Sequence, residues 1–519
     1  MTQPWRPNKS SWLMPSMADL LILLCFAGYV FYMPQIKSFD IWWHLETGKM
    51  ILAGYFPKVD VLSFTAAGRP WTLHEWGSEV LFFLLFKHFG ATGLVALRAM
   101  VAALTIATVY RLLVRQGLHT LLALSLTLAA GVLFHKSWSM RPHIFSLLFI
   151  VLVFYIVNEY SRYGRRRPLA WLPLIFLVWI NLHGGFVVGF LFLGLWTIGE
   201  AINILLNQRP DKSLRHLFPL ILWSALAFLA AFVNPNTYEG VLYPVLYSGN
   251  SDLPLDVVAE WYPADWVNSK YFIFYNFFVI GVLFLSSFRL PAGHLLMIVV
   301  FGLYAFRYHR ITPFYAAVTI PLVALSFQHL LRQGWDTIPA YSPALYKKMR
   351  FLSGYMQQRA RRIDAFGQRS SRYLFLFLAL SLSFGLLLSG GMDSLLPLGI
   401  NKFKYPFENI RYLKDHPQPG NLFNRFRWGG LIAWCLPGKK VFIDGRIDVY
   451  GKQITEEYGT VLQLEDGWRE ILVKYNITHI LINPEAPLAR HIRALDRDWR
   501  LVADDGVSLL FLKNASSSE

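Results

Sequence analysis

Residues 38–48 read SFDIWWHLETG, directly after the apolar run Met17–Met33. Within this stretch, FDIWWH sets a carboxylate, two indoles and an imidazole where a membrane segment would leave the lipid. A charge at that depth is costly unless it faces water, a partner or a cavity. The position of Asp40 therefore sets the question for the whole chain.

Apolar runs of spanning length recur outward from this point. A bilayer crossing needs about 20 apolar residues, and the sequence predicts about eleven such helices, near 17–34, 91–110, 118–134, 143–160, 169–181, 185–206, 216–233, 271–288, 292–306, 311–330 and 373–390. The first is expected as an uncleaved span, because no small-residue cleavage site follows it. With 55% hydrophobic and only 16% charged residues among 519, the composition is that of a polytopic α-helical membrane protein. Cys25 and Cys435 form no disulfide framework and no metal-knuckle spacing.

Charge supplies the orientation. If the N-terminus is cytoplasmic, the inner loops carry Arg111 and Arg115, then Arg162 and Arg165 to Arg167, then Arg209, Lys212 and Arg215, then Arg289, and the loop 331–372 is strongly basic. That is the positive-inside pattern. The net charge of +17 is accounted for by these loops and anionic membrane lipids, so no nucleic-acid partner is expected. The same alternation places FDIWWH, LHEWGSE, HKSWSMRPH, NLHGGF, NPNTYEG, EWYPADW and RYHR on the outer side. Their convergence there points to one external site at membrane level.

Each cluster has a simpler alternative. Trp42 and Trp43 fit an interfacial aromatic belt, and Asp40 fits a helix N-cap. His74 and Glu75 either open a helix or carry chemistry. Arg141 and His143 either anchor the fourth span or line the pocket, and His183, beside Asn181 and two glycines, either closes a turn or faces a ligand. Arg307, His309 and Arg310 lie at an outer end, against the positive-inside trend, which favours phosphate contact over snorkelling.

An acid on the first outer loop, arginines on distant outer loops and an apolar path between them suit a sugar carried on a polyprenyl phosphate. The lipid tail lies in the bilayer, guanidinium groups hold the phosphate, and a carboxylate takes the proton of an attacking hydroxyl. Asp40, with His74 and Glu75, forms the expected catalytic group; Arg307, Arg310 and Arg141 the donor-phosphate group; and His44, His143, Asn181, His183, His309, Asp444 and Arg446 the substrate pocket. Asp40, His44, His74 and Glu75 form an alternative set for a divalent metal ion. No phosphate-cradling glycine loop of the Walker type occurs.

The stretches FDIWWHLETGKMILAGYFPKVDVLSFTAAGRPWTLHEWGSE, MRPHIFSLL, WINLHGGFVVG and FNRFRWGGLIAWCLPGKKVFIDGRIDVYG resemble a bacterial group of GT-C-type integral-membrane glycosyltransferase-like proteins over nearly the whole chain. Protein mannosyltransferases, aminoarabinose transferases and oligosaccharyltransferases belong to that superfamily. The resemblance implies a lipid-phosphate donor, a catalytic role for Asp40, and a glycan, lipid or protein acceptor outside the bacterial cytoplasmic membrane. Two departures stand out: Asp40 has no adjacent second acid, and no acid-x-acid metal motif lies between the spans. A transporter or flippase for a lipid-linked glycan, or a non-catalytic binding protein, would use the same outer residues without breaking a bond.

The expected organisation is a GT-C-like transmembrane domain over 1–390, with the first outer loop at 35–90, and an extracytoplasmic α/β domain over 391–519. In the latter, LIAWCL, KKVFI, HILIN and VSLLFL are predicted strands, and EEYGTVLQLEDGWREILVKY a predicted helix. DGRIDVYG follows KKVFI, where an α/β sheet usually places ligands. Asp444, Arg446 and Asp448 either form an ion-pair turn or touch an acceptor.

Overall fold

Local signals set the helix ends. Pro142 stands at the start of the helix His143–Tyr163, where a missing N–H leaves no carbonyl unserved. Gly164, at φ 67°, closes that helix with its N–H on the Tyr160 carbonyl at 2.8 Å. The computed structural model describes residues 28, 35–249, 262–344, 347, 399–400 and 404–514. The expected spans near 17–34 and 373–390, and most of the loop 331–372, fall outside these residues.

Within the described residues every other expected run is helical. Four helices, Trp76–Arg115, His143–Tyr163, Phe186–Leu205 and His309–Gln333, are long and apolar enough to cross a membrane, and five further apolar helices are shorter. The outer faces are apolar as well as the core: Phe284 is 86% exposed, and Phe277, Ile280 and Leu303 also face outward. Helices that are hydrophobic all round belong in lipid. The 40-residue helix Trp76–Arg115 would reach about 60 Å if straight. It bends instead at Gly90 (φ 58°, ψ −154°), a conformation open to glycine. Its first part packs on the helix Ile41–Leu52, where Gly48 lies against the Glu79 carbonyl too closely for any side chain.

Hydrogen bonds sort the helix ends into two groups. At one end Trp76 Nε1 donates to Asn181 Oδ1 (2.7 Å), Asn181 Nδ2 to the Val233 carbonyl (3.0 Å), Asn236 Nδ2 to the Leu73 carbonyl (2.9 Å), and the His309 N–H to the Tyr262 carbonyl (3.0 Å). At the other end Arg115 and Arg165 grip Glu159 at 2.8 and 2.9 Å, Lys212 lies 3.7 Å from Glu200, and the His119 N–H donates to Gln328. Among the described residues, those of LHEWGSE, NLHGGF and NPNTYEG thus meet at one end, and Arg115, Arg165 and Lys212 gather with their acids at the other.

The C-terminal unit is a four-stranded sheet in the order Asn421–Asn424, Ile477–Ile482, Leu509–Lys513, Trp499–Asp504, parallel in the first pair and antiparallel in the rest. Helices Phe407–Asp415, Gly429–Cys435, Ile447–Gln463, Trp468–Lys474 and Pro487–Leu495 surround it. HILIN and VSLLFL are strands as expected. LIAWCL is not: it lies in the helix Gly429–Cys435, since a short run buried on all sides has no periodicity to separate helix from strand. KKVFI joins no strand of the sheet. Val441 instead bridges Ser63, in the segment 53–75, and Leu422 of the edge strand. One continuous buried core accordingly runs from Trp42, Leu62 and Trp71 through Trp428, Phe442 and Ile480.

Candidate active site

Asp40 precedes the helix Ile41–Leu52, yet its side chain makes no capping hydrogen bond. Its Oδ2 lies 2.7 Å from Arg141 Nη2, with the two side chains 20% and 30% exposed. Arg141 Nε in turn approaches Ser38 Oγ at 3.3 Å. The segment expected as the first outer loop and the start of the fourth expected span thus meet in one charge-assisted pair, open to the surface.

Beside this pair, three imidazoles surround Glu75. His74 Nε2 and His183 Nε2 each stand 3.5 Å from Glu75 Oε1, and His44 Nε2 stands 4.0 Å from Oε2. His44 Nδ1 also faces Glu79 Oε1 at 3.4 Å. Burial pulls His44 down to about 3 against the raising influence of Glu75, and Arg141, His74 and His143 push the same way as burial. Burial likewise pulls His183 down to about 3, opposed by Glu75 and assisted by His143 and Arg310. His74 goes the other way: burial disfavours its charge, but Glu75 and Asp448 outweigh it and raise it above 6.5. Burial would raise Glu75, yet His74, His183 and His44 together hold it well below the usual carboxylate range. Glu75 thus favours the charged form of His74, whereas burial favours the neutral form of His44 and His183.

The hydrogen bonds fix the tautomer of His183. Its Nδ1 accepts the Gly185 N–H at 2.9 Å and faces Ser146 Oγ at 2.6 Å, while Ser146 accepts Trp179 Nε1 at 2.6 Å. An acceptor Nδ1 leaves the proton on Nε2, toward Glu75. His74 stacks on Tyr243 at 4.3 Å, and the Tyr243 hydroxyl donates to Asp448 at 2.8 Å. This ties the helix Thr237–Gly249 and the C-terminal unit to the same cluster.

The structure brings together Asp40, His44, His74, Glu75, Arg141, His143 and His183, with Arg310 close enough to His183 to act on its charge. His143 faces Ser139 Oγ at 3.4 Å. The other expected site residues have partners of their own. Asn181 binds Trp76 and two backbone carbonyls and so holds the helix ends. His309 Nδ1 pairs with Ser269 Oγ at 2.9 Å. Arg307 is exposed, its guanidinium 5.2 Å from the Tyr308 ring. Asp444 and Arg446 are wholly buried in an ion network with Asp60. Among the described residues, no three His, Cys, Asp or Glu side chains form a group suited to a metal ion. The quartet Asp40, His44, His74 and Glu75 divides instead, Asp40 facing Arg141 and the imidazoles facing Glu75.

Sequence reasoning passed over Ser146 and Tyr243. Ser146 lies three residues after His143 on the same helix face, a usable signal. Tyr243 sits in a stretch read as loop, with no local mark of its stacking.

No family model matches the chain, and no curated protein does. Solved structures match in fold. The apo oligosaccharyltransferase of Archaeoglobus fulgidus is 12% identical, with a TM-score of 0.56 over 92% of this chain and 70% of that one. The oligosaccharyltransferase AglB of the same organism, in complex with an inhibitory peptide and a dolichol-phosphate, is 13% identical, with a TM-score of 0.55 over 90% and 69%. ArnT of Cupriavidus metallidurans gives 0.48 at 10% identity, over 96% and 98%. The fold is therefore that of these archaeal oligosaccharyltransferases.

Proposed function

We propose that the protein is a membrane glycosyltransferase with about eleven spans that moves a sugar from a polyprenyl-phosphate donor to an extracytoplasmic hydroxyl, with inversion. The observation that carries this is the Asp40–Arg141 pair, 2.7 Å apart at the polar end of an apolar bundle. The fold shared with these oligosaccharyltransferases supports it, and so does a structural relative that holds a dolichol-phosphate. The grouping of Arg115, Arg165 and Lys212 at the far end supports a cytoplasmic face there, and hence an outer face for Asp40.

In this mechanism the donor phosphate engages Arg141 and Arg310, with Arg307 at the approach. Drawing Arg141 toward phosphate weakens its hold on Asp40, which raises the basicity of that carboxylate. Asp40 then accepts the proton of the acceptor hydroxyl. The hydroxyl oxygen forms its bond to the anomeric carbon as the carbon–oxygen bond to phosphate breaks, and the electron pair leaves on polyprenyl phosphate. Guanidinium charge stabilises that leaving group. The neutral His44 and His183 and the His74–Glu75 pair wall the sugar subsite.

Asp40→Asn tests the base. The expected result is donor binding close to wild type with transfer lost by about a hundredfold or more. Undiminished transfer contradicts the assignment. A donor that changes leaflet without losing its sugar would favour a transporter instead.

A further inference from the structure

We propose that the turn Asp444–Gly445–Arg446 of the C-terminal unit is part of the transfer site, with Gly445 the positioning residue that fixes the Asp40 carboxylate; this rests on the glycosyl-transfer reading above. Gly445 lies directly against Asp40. A methyl group at position 445 would overlap Asp40 Oδ1, and would stand 3.1 Å from Asp40 Cγ and 3.2 Å from Trp43 Nε1. Gly445 is not among the glycines with positive φ, so backbone conformation does not demand glycine there. The space taken by Asp40 does.

The turn is held far more firmly than a surface loop. Arg446 binds Asp444 through Nε and Nη2, at 2.9 and 2.7 Å, and Asp60 through Nη1 at 2.7 Å. Its guanidinium lies 4.3 Å from the Trp71 ring. Asn424 Nδ2 donates to the Ile443 carbonyl at 2.8 Å, and Gly429 packs against Asp444. The Asp40 carboxylate is therefore clamped, with Oδ2 on Arg141 and Oδ1 against this wall. The Trp43 indole N–H, buried and without a hydrogen-bond partner, lies beside the same point. A hydroxyl that reaches Asp40 from the open side of the Arg141 pair gives its proton to this clamped carboxylate.

The test is Gly445→Ala in the full-length protein in lipid nanodiscs, supplied with polyprenyl-phosphate sugars extracted from the source membranes. The added methyl meets the end of a short side chain, so the carboxylate shifts while the fold holds. The expected result is a kcat lower by about a hundredfold, with undecaprenyl phosphate affinity within about twofold of wild type. The acid limb of the pH–rate profile should move upward as Asp40 leaves Arg141. Wild-type kcat in Gly445→Ala overturns the proposal, and so does a parallel loss of kcat, undecaprenyl phosphate affinity and melting temperature. If Gly445→Ala fails to accumulate, Asp40→Glu moves the carboxylate one methylene off its place against this wall while leaving the turn intact, and should lower kcat with undecaprenyl phosphate affinity retained; a wild-type kcat there overturns the clamp. Asp40→Asn separates the two levels. Loss of transfer in Asp40→Asn but not in Gly445→Ala sinks only the clamp, whereas transfer retained in Asp40→Asn sinks the reading beneath it.

Discussion

Arg446 Nη1 lies 2.7 Å from Asp60 Oδ1, across 386 residues of sequence, and both side chains are fully buried. The segment expected as the first outer loop and the C-terminal unit are joined through this pair. Removing one partner of a buried pair strands the other's charge, at about 3–5 kcal/mol. Arg446→Ala is accordingly expected to lower the melting temperature sharply and to expose the first outer loop to protease. A variant with wild-type melting would show that the network does not bind the two together.

Arg141 is expected to serve both Asp40 and the donor phosphate. Arg141→Gln should weaken undecaprenyl phosphate binding by about tenfold, the loss of one charge-assisted contact. It should also move the acid limb of the rate profile upward, because Asp40 loses its adjacent cation. A binding loss with an unmoved acid limb would separate Arg141 from Asp40 during turnover.

The histidines around Glu75 should titrate apart. His74 lies above its ordinary 6.5, while His44 and His183 lie at about 3. Imidazole-labelled NMR should show His74 charged at pH 6.5 and the other two neutral down to pH 4. The signs for stability follow. The raised His74 contributes fully below pH 6.5, and its contribution is lost as pH rises through its folded value. The depressed Glu75 contributes above about pH 4.5 and loses this as pH falls through its folded value. His44 and His183 bind protons more readily when unfolded, so they erode stability as pH falls from 6.5 toward 3. A charged His183 at pH 6 would contradict this arrangement.

Arg310 acts on His183 within the cluster, while Arg307 is exposed at the end of its helix. Arg310→Ala should weaken undecaprenyl phosphate binding by about tenfold and Arg307→Ala by less, both without a matching change in acceptor KM. Equal effects on donor and acceptor in either variant would remove that arginine from the phosphate subsite.

The bundle was legible because lipid imposes a local rule: each span must satisfy its own backbone, so its length and composition show in the sequence. Asp40 was legible for a related reason, as a carboxylate where lipid discourages one. Of the two readings open there, a helix cap and a base, the side chain makes no capping bond and faces Arg141 instead. The Arg446–Asp60 pair was not legible, since contacts between distant segments leave no periodicity in either. Tyr243 shows the same limit, its role arising only when His74 and Asp448 arrive from other elements. LIAWCL marks a third, a buried run too short to announce its period.

The central claim meets its most direct test in the fate of the lipid carrier. Purified protein in liposomes, given polyprenyl-phosphate sugars from the source membranes and their water-soluble glycans, should release free polyprenyl phosphate, detectable by mass spectrometry, and Asp40→Asn should not. A carrier that keeps its sugar in both preparations would contradict glycosyl transfer at this site.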